Sequence, residues 1–491
     1  MRKVKSLTWL VGLPIIIGSH LYLLSRLIFF PYPELFIYSY LTKQGLLPYK
    51  QILDQHFPGV MFFPINLATL GIDTPQEARL LHFAVVAITQ VILFIVARKL
   101  FNSDFRALIV NFLYLLWQPF YEGYVLWIDT FVPIFLLIAF YCLIEHKAKP
   151  NKLFLSGLFL GIALIFKQTV VPIFILLTIY LFLYTKKQSF YNSVQENPTL
   201  KGGDELNSDM SSYLGKPRLL RRGGCHKFFA GFSIPVIILG VYILLIGVGY
   251  DFIYWTFIFN ITTFAEMGRK YPNFADILKT VPLFGSSVFL LIYFYYIKAF
   301  KNVALVAIFF VGSLAFAYAR FDLIHLQPAL PFAILLVVIL LNHFKYYGKL
   351  FLFAFIVFSI ITPISFIKSH SGKKILFFTD FEKQTVVEVK KYAKPGDSIF
   401  AMGTFHHVYQ MTDTLPPGRV FVFQFPWFMV EAQDIIYKGI ISDPPKVVIR
   451  DKNASVDNMN LVSYMPNINN YVDKYYRIVN TIEGAEILIR K

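Results

Sequence analysis

Six ionisable residues stand out in a chain that has few of them: the acids Glu34, Asp54 and Asp129, and the bases Lys167, Arg320 and His325. Each lies in or beside an apolar stretch, where charge is costly and marks a functional candidate. A carboxylate can take a proton from a hydroxyl or an amine, and Lys or Arg can hold a phosphate or a second carboxylate. Such a set could abstract a proton beside a bound anion. Each residue also has an ordinary reading. Glu34 follows Pro33 and would sit in the first turn of a short helix, where the dipole favours a carboxylate. Asp54 and His56 could shape the turn before Pro58-Gly59, and Asp129 could cap the helix it opens. Lys167 could complement a helix end or snorkel to lipid headgroups. Arg320 could pair with Asp322, and His325 could be a hydrogen-bonded interfacial histidine.

The elements that position these residues follow from composition. The 491 residues are 56% hydrophobic and 15% charged, with a mean hydropathy of +0.58. A soluble chain carries about 25% charged residues, so an integral membrane protein is expected. Two cysteines, Cys142 in an apolar run and Cys225 in a basic loop, make neither a disulfide framework nor a metal cluster. A spanning helix needs about 20 apolar residues. Eleven candidates occur, at 7–30, 80–96, 107–120, 124–144, 153–166, 169–184, 228–249, 277–297, 303–319, 328–341 and 350–367. The first is too long for a signal-peptide core and lacks a small-residue cleavage site, so it reads as a retained helix.

The formal charge is +17. On a soluble protein that excess would suggest nucleic acid; here it sorts onto one side of the spans. Arg2, Lys3, Lys5, Arg98, Lys99, Arg106, Lys147, Lys149, Lys152, the loop 186–227, Lys298, Lys301, Lys345 and Lys349 share a side. Lys43, Lys50, Lys167, Arg269, Lys270 and Arg320 lie opposite. The basic side is expected to be cytoplasmic, which puts the N-terminus inside and all six candidate residues on the extracytoplasmic side. No nucleic-acid partner is expected. The plasma membrane is the expected location.

Residues 1–367 thus read as a multi-pass helical domain, with a first extracytoplasmic loop at 31–78 and a polar cytoplasmic loop at 186–227. Residues 368–491 carry 16 Lys and Arg against 13 Asp and Glu, +3, leaving +14 for the membrane part. This tail alternates strand and helix patterns: a helix at 380–394, a turn at Pro395-Gly396-Asp397, strands at 398–402, 419–423, 446–449 and 485–489, and a helix at 426–440. Alternation of this kind predicts a small extracytoplasmic α/β domain with a largely parallel sheet. Adjacent His406-His407 lacks a third ligand, so no metal site and no cofactor is expected.

The first loop carries a resemblance. An acid just after the first span (Pro33-Glu34), then Gly45-Leu46-Leu47-Pro48-Tyr49, Asp54 and Pro58-Gly59, resembles the first extracytoplasmic loop of GT-C membrane glycosyltransferases. The similar groups are the protein O-mannosyltransferase-like and lipid A aminoarabinose transferase-like families. Many members have Asp-Glu where this chain has Pro33-Glu34, so the burden would fall on Glu34 alone or on a partner such as Asp54. Gly157…Gly161…Lys167, Asp129 opening a span, the loop Arg320–Pro328 with His325, and Pro395-Gly396-Asp397 and Pro416-Pro417-Gly418 in the tail extend the resemblance over nearly the whole chain.

The resemblance implies a GT-C-like fold of about eleven helices and transfer of a sugar from a polyprenyl-phosphate donor on the outer membrane face. Glu34, Asp54 and Asp129 would be the catalytic acids, and Lys167, Arg320 and His325 would bind the donor phosphate, without metal. The acceptor could be a protein, a lipid or a glycan. Chemically, such transfer has oxocarbenium character; phosphate is already a good leaving group, so one base and nearby cations suffice. A transporter or flippase of a lipid-linked saccharide would also need a basic membrane cleft. Transporters usually show repeated halves and midplane sites, whereas here the polar residues gather in outer loops.

Overall fold

The computed structural model of the chain describes residues 8–144, 150–195, 224–343, 347–372 and 374–491. A helix stands over each of the eleven apolar segments. They include Thr8–Arg26, Pro75–Phe101, Asp104–Phe120, Ile128–Ile144, Pro150–Phe166, Val171–Gln195, Gly224–Leu245, Ser286–Tyr296, Ala304–Leu314, Leu330–His343 and Tyr347–His370. By length and composition, Trp9–Arg26, Pro75–Phe101, Cys225–Leu245 and Phe274–Tyr296 could each cross a membrane. The basic N-terminus and most of the 186–227 loop lie outside the described residues.

Local chemistry sets the helix ends. Thr74 accepts from the Glu77 backbone N–H while Glu77 reaches back to Thr74, and Pro75 opens the helix, a reciprocal cap that satisfies otherwise orphaned donors. Asn102 ends that helix in the left-handed region and Ser103 caps the next, which forces an antiparallel hairpin. Helices Pro150–Phe166 and Gly224–Leu245 meet backbone to backbone. A Cβ on Gly157 would lie 2.0 Å from the Phe228 carbonyl oxygen, one on Gly161 2.6 Å from that of Phe232, and one on Gly231 2.0 Å from that of Phe154. Small residues four apart allow this approach in lipid, where packing replaces the hydrophobic drive. It fixes the helix whose end bears Lys167.

The segment 249–267, between two of the apolar segments, is a run of short helical turns broken at Thr262. Trp255, Phe259 and Phe264 on it pack against Phe428 and Trp427 of the tail, with centroids 5.0–5.9 Å apart. Tyr250, Ile253, Phe257 and Ile261 remain exposed.

The tail departs from expectation in its sheet. The strand order is Ile399–Met402, Val447–Arg450, Ala485–Arg490, Tyr476–Ile482, with only the first pair parallel. The sheet is mixed, not largely parallel. The strand at 476–482, which had no counterpart in the sequence reading, joins its partner through Glu483-Gly484, both at positive φ, and a tight hairpin must be antiparallel. The expected strand at 419–423 does not enter this sheet at all. Phe421–Val422 pairs instead, in parallel, with Ile52–Leu53 of the first loop.

That pairing seats the tail on the loop. Tyr40 donates to Asp413 and to the Thr414 carbonyl, both at 3.0 Å, and Arg419 donates to the Gln44 carbonyl at 2.7 Å. The helix Pro33–Lys43, expected as a short helix with Glu34 in its first turn, is buried from Pro33 to Leu41, with the tail seated against it.

Candidate functional site

Short backbone ladders bring the site together. Phe30–Pro31 pairs in parallel with Val125–Leu126, which sets the start of the first loop beside the connection holding Glu122 and Trp127. Gly59 donates to the Ile165 carbonyl at 3.0 Å, docking the second half of the loop on the turn before Lys167. Lys270 and Arg320 bridge in parallel, and Phe321 donates to the Lys270 carbonyl at 2.9 Å. Ladder and tail enclose a cavity of about 440 Å³ whose wall carries Glu34, Asp54, His56, Glu122, Arg320, Asp322 and His325, with Trp127, Phe264 and Trp427 among its aromatics.

Glu34 sits in the first turn of its helix, as expected from Pro33, and is 7% exposed. Its Oε2 has no hydrogen-bond partner among the described residues. Burial, together with the Asp54 carboxylate, pushes its carboxyl up to about 8. Such a group exchanges protons near neutral pH, the range in which a general base works well.

Asp54 is spent on structure around it. Its Oδ2 accepts from Tyr38 at 2.7 Å, and its Oδ1 accepts from the His56 backbone N–H at 2.7 Å and lies 3.0 Å from His56 Nδ1. The carboxylate thereby orients the imidazole, which lines the cavity edge-on to Trp127 at 5.3 Å.

Asp129 and Lys167 form a buried pair behind the wall. Lys167 Nζ donates to both Asp129 oxygens at 2.9 and 2.7 Å, and neither residue lines the cavity. His325 does; its Nδ1 is 2.9 Å from Asp129 Oδ2 and 3.0 Å from Lys167 Nζ. Burial and the Lys167 ammonium push the His325 imidazole down, against the pull of Asp129. Nδ1 thus faces both a donor, the Lys167 ammonium, and an acceptor, the Asp129 carboxylate.

Arg320 pairs with Asp322, as its ordinary reading had it: Nε donates to Oδ2 at 2.9 Å. Lys270 donates to the other oxygen at 2.6 Å. The remaining fork of Arg320 holds Asp457 of the tail at 2.7 and 3.2 Å, and the guanidinium lies 5.5 Å from the centroid of the Trp427 ring. The structure therefore groups Glu34, Asp54, Arg320 and His325 on one wall, with Asp129 and Lys167 one layer back.

Several residues on or beside the wall had no part in the sequence reading. Glu122 adopts positive φ (57°) and accepts from Ile324 N–H at 2.9 Å; burial raises its carboxyl. An acid between two apolar segments on the Lys-poor side was a usable signal. Gln327 braces this turn, donating to the carbonyls of Gln118 and Tyr121 at 2.9 and 2.6 Å. Trp427 and Asp457 arrive from the tail and carried no signal. His406 and His407 are packed among Phe378, Phe405, Phe421 and Phe423, and burial pushes them down to about 3 and about 4.

Residues 56–195 match the family model of dolichyl-phosphate-mannose-protein mannosyltransferases. Over the whole chain, the fold is similar to that of ArnT from Cupriavidus metallidurans bound to undecaprenyl phosphate, with a TM-score of 0.62 and 11% identity over 98% of both chains. The apo ArnT structure matches with a TM-score of 0.60 and 10% identity, over 98% of this chain and 97% of that one. The Archaeoglobus fulgidus oligosaccharyltransferase tethered with an acceptor peptide matches at TM-score 0.51 and 12% identity, over 96% of this chain and 72% of that one. No curated protein sequence matches the chain. At these identities the likeness to the solved structures is one of fold.

Proposed function

We propose that this chain, which has the fold of the GT-C membrane glycosyltransferases and a segment matching the protein mannosyltransferase family, transfers a sugar from a polyprenyl-phosphate donor to an acceptor on the extracytoplasmic face. The observation that carries this reading is the unpartnered, buried Glu34 oxygen on a cavity wall that also bears Arg320 and His325.

In the proposed step the acceptor oxygen or nitrogen bonds to the sugar's anomeric carbon as its proton passes to Glu34. The bond from that carbon to the phosphate oxygen breaks, and its electron pair leaves on the lipid phosphate. Arg320 receives that charge through its fork, the geometry in which guanidinium binds phosphate best. His325 faces the same space. Lys167, held by Asp129 behind the wall, acts by holding the His325 ring in place rather than by touching the phosphate. Asp54 orients His56 toward the same space. The exposed apolar side of 249–267, continuous with Phe264 on the wall, offers the polyprenyl tail a path along the membrane.

The test uses purified protein in nanodiscs with polyprenyl-phosphate sugars and with hydroxyl and amine acceptors. Glu34→Gln should lower kcat by about 10²–10⁴-fold, the usual worth of a general base, while donor binding persists. Transfer unchanged by Glu34→Gln would remove the base assignment, and lipid flipping without transfer would favour the transporter. A reporter fused after Lys491 should be active only outside the cytoplasm.

A further inference from the structure

Asp457 occupies the face of Arg320 that a phosphate would need. Its two oxygens take NH1 at 2.7 Å and NH2 at 3.2 Å, the parallel two-point contact that guanidinium makes with carboxylate and phosphate alike. We propose that Asp457 is an internal competitor at the donor site: it occupies the fork of Arg320 in the geometry a phosphate would take and is exchanged for the lipid phosphate when donor binds. The inference rests on the phosphate role of Arg320 proposed above.

Three observations support exchange over a fixed ion pair. Asp457 is at the tip of a hairpin whose strands, Ser455–Val456 and Met459–Asn460, pair only with each other, apart from the four-stranded sheet. A two-stranded ribbon of this size is marginally stable in water, so its tip can swing at little cost. Asp457 and Asn458 both take positive φ, 52° and 65°, as a two-residue hairpin turn requires. Val456 of the same hairpin lines the cavity, so movement of the tip opens the site.

Second, Arg320 stays oriented without Asp457. Its Nε keeps Asp322, and NH1 is also 3.3 Å from the Gly268 carbonyl. Third, the charges balance. Arg320 and Lys270 face Asp322 and Asp457, two against two. A donor phosphodiester carries one negative charge and replaces Asp457 without changing the balance. The product monoester carries about −1.5 to −2 at neutral pH, so it brings an excess that the returning Asp457 helps to expel.

The experiment measures binding of undecaprenyl phosphate to the full chain in nanodiscs by calorimetry, with donor KM and kcat alongside. Asp457→Asn removes the competing charge and should bind about 3–10-fold tighter, the range for a partly exposed ion pair of good geometry. Its donor KM and its kcat should both fall as product leaves more slowly. Asp457→Glu, which can compete again, should return toward wild type. In an Arg320→Gln background, Asp457→Asn should change nothing. Unchanged or weaker binding by Asp457→Asn, with Arg320→Gln itself weakened, would overturn the exchange and leave the phosphate role standing. Wild-type binding by Arg320→Gln would instead overturn that role. A thermal melt of each variant separates either result from unfolding of the tail.

Discussion

Gly59 sits directly on the end of the helix that carries Lys167. Its N–H donates to Ile165 at 3.0 Å, and a Cβ at this position would fall 2.4 Å from Phe166 Cα. Backbone stands on both sides, so a side chain can be admitted only by moving the loop. Gly59→Ala is therefore expected to cost about 1–3 kcal/mol of stability, as overpacking does. Its effect on transfer should be larger, about tenfold or more in kcat/KM, because small misplacements of reacting groups are amplified in rate. Melting temperature and initial rates on one preparation check the pair of outcomes.

The pH profile follows from Glu34. A base must be ionised to accept a proton, and burial pushes this carboxyl up to about 8. kcat/KM should rise with pH through about 8 and level off about a unit above it, and the rising limb should disappear in Glu34→Gln. Stability runs the other way. The folded state holds the proton more tightly than the unfolded chain, so Glu34 contributes fully at pH below its ordinary value, and that contribution is lost as pH climbs toward 8. Glu34→Gln should thus melt higher than wild type at pH 8 and similarly at pH 5.

The Lys167–Asp129 pair separates structure from function. Both side chains are buried, 8% and 0% exposed, and removing one partner strands the other charge. Lys167→Met or Asp129→Leu alone should destabilise by about 3–5 kcal/mol. The double variant should regain much of that stability, since a buried pair is often replaceable by apolar residues. It should not regain transfer, because His325 loses both of the groups that hold its ring. A double-mutant cycle in melting temperature and rate tests this.

Packing of the helices can be probed apart from the site. Gly157→Val places carbon where the Phe228 carbonyl stands, and should abolish a well-folded preparation. Gly240→Ala on the same partner helix meets nothing within 4 Å and should be neutral. Monodispersity in detergent reads out both.

Much of the fold was legible because apolar length alone marks a helix in lipid, and all eleven segments carry one. Pro33-Glu34 announced its helix through a rigid first position and a dipole-favoured acid. Arg320 beside Asp322 was readable as a local pair. What was hidden depends on long-range pairing. The sequence 419–423 has the pattern of a sheet strand, yet its partner is Ile52–Leu53; two-residue ladders leave no periodic trace. Trp427 reaches the cavity, and Asp457 reaches Arg320, only through the seating of the tail. Lys167 could be grouped with the other site residues but not placed one layer behind the wall, since burial of a charge depends on a partner, Asp129, that arrives from another helix.

The ladder between Ile52–Leu53 and Phe421–Val422 also bears on biogenesis. Its two strands are separated by most of the chain, so at about 5–20 residues per second the early loop waits roughly 20–75 s for its partner to be synthesised. During that interval Leu35, Ile37 and Tyr38, which the finished protein buries completely, have no tail to cover them. A chain truncated before the tail would leave this apolar loop uncovered, so a failure of the C-terminal region is felt first at the loop rather than at the tail itself.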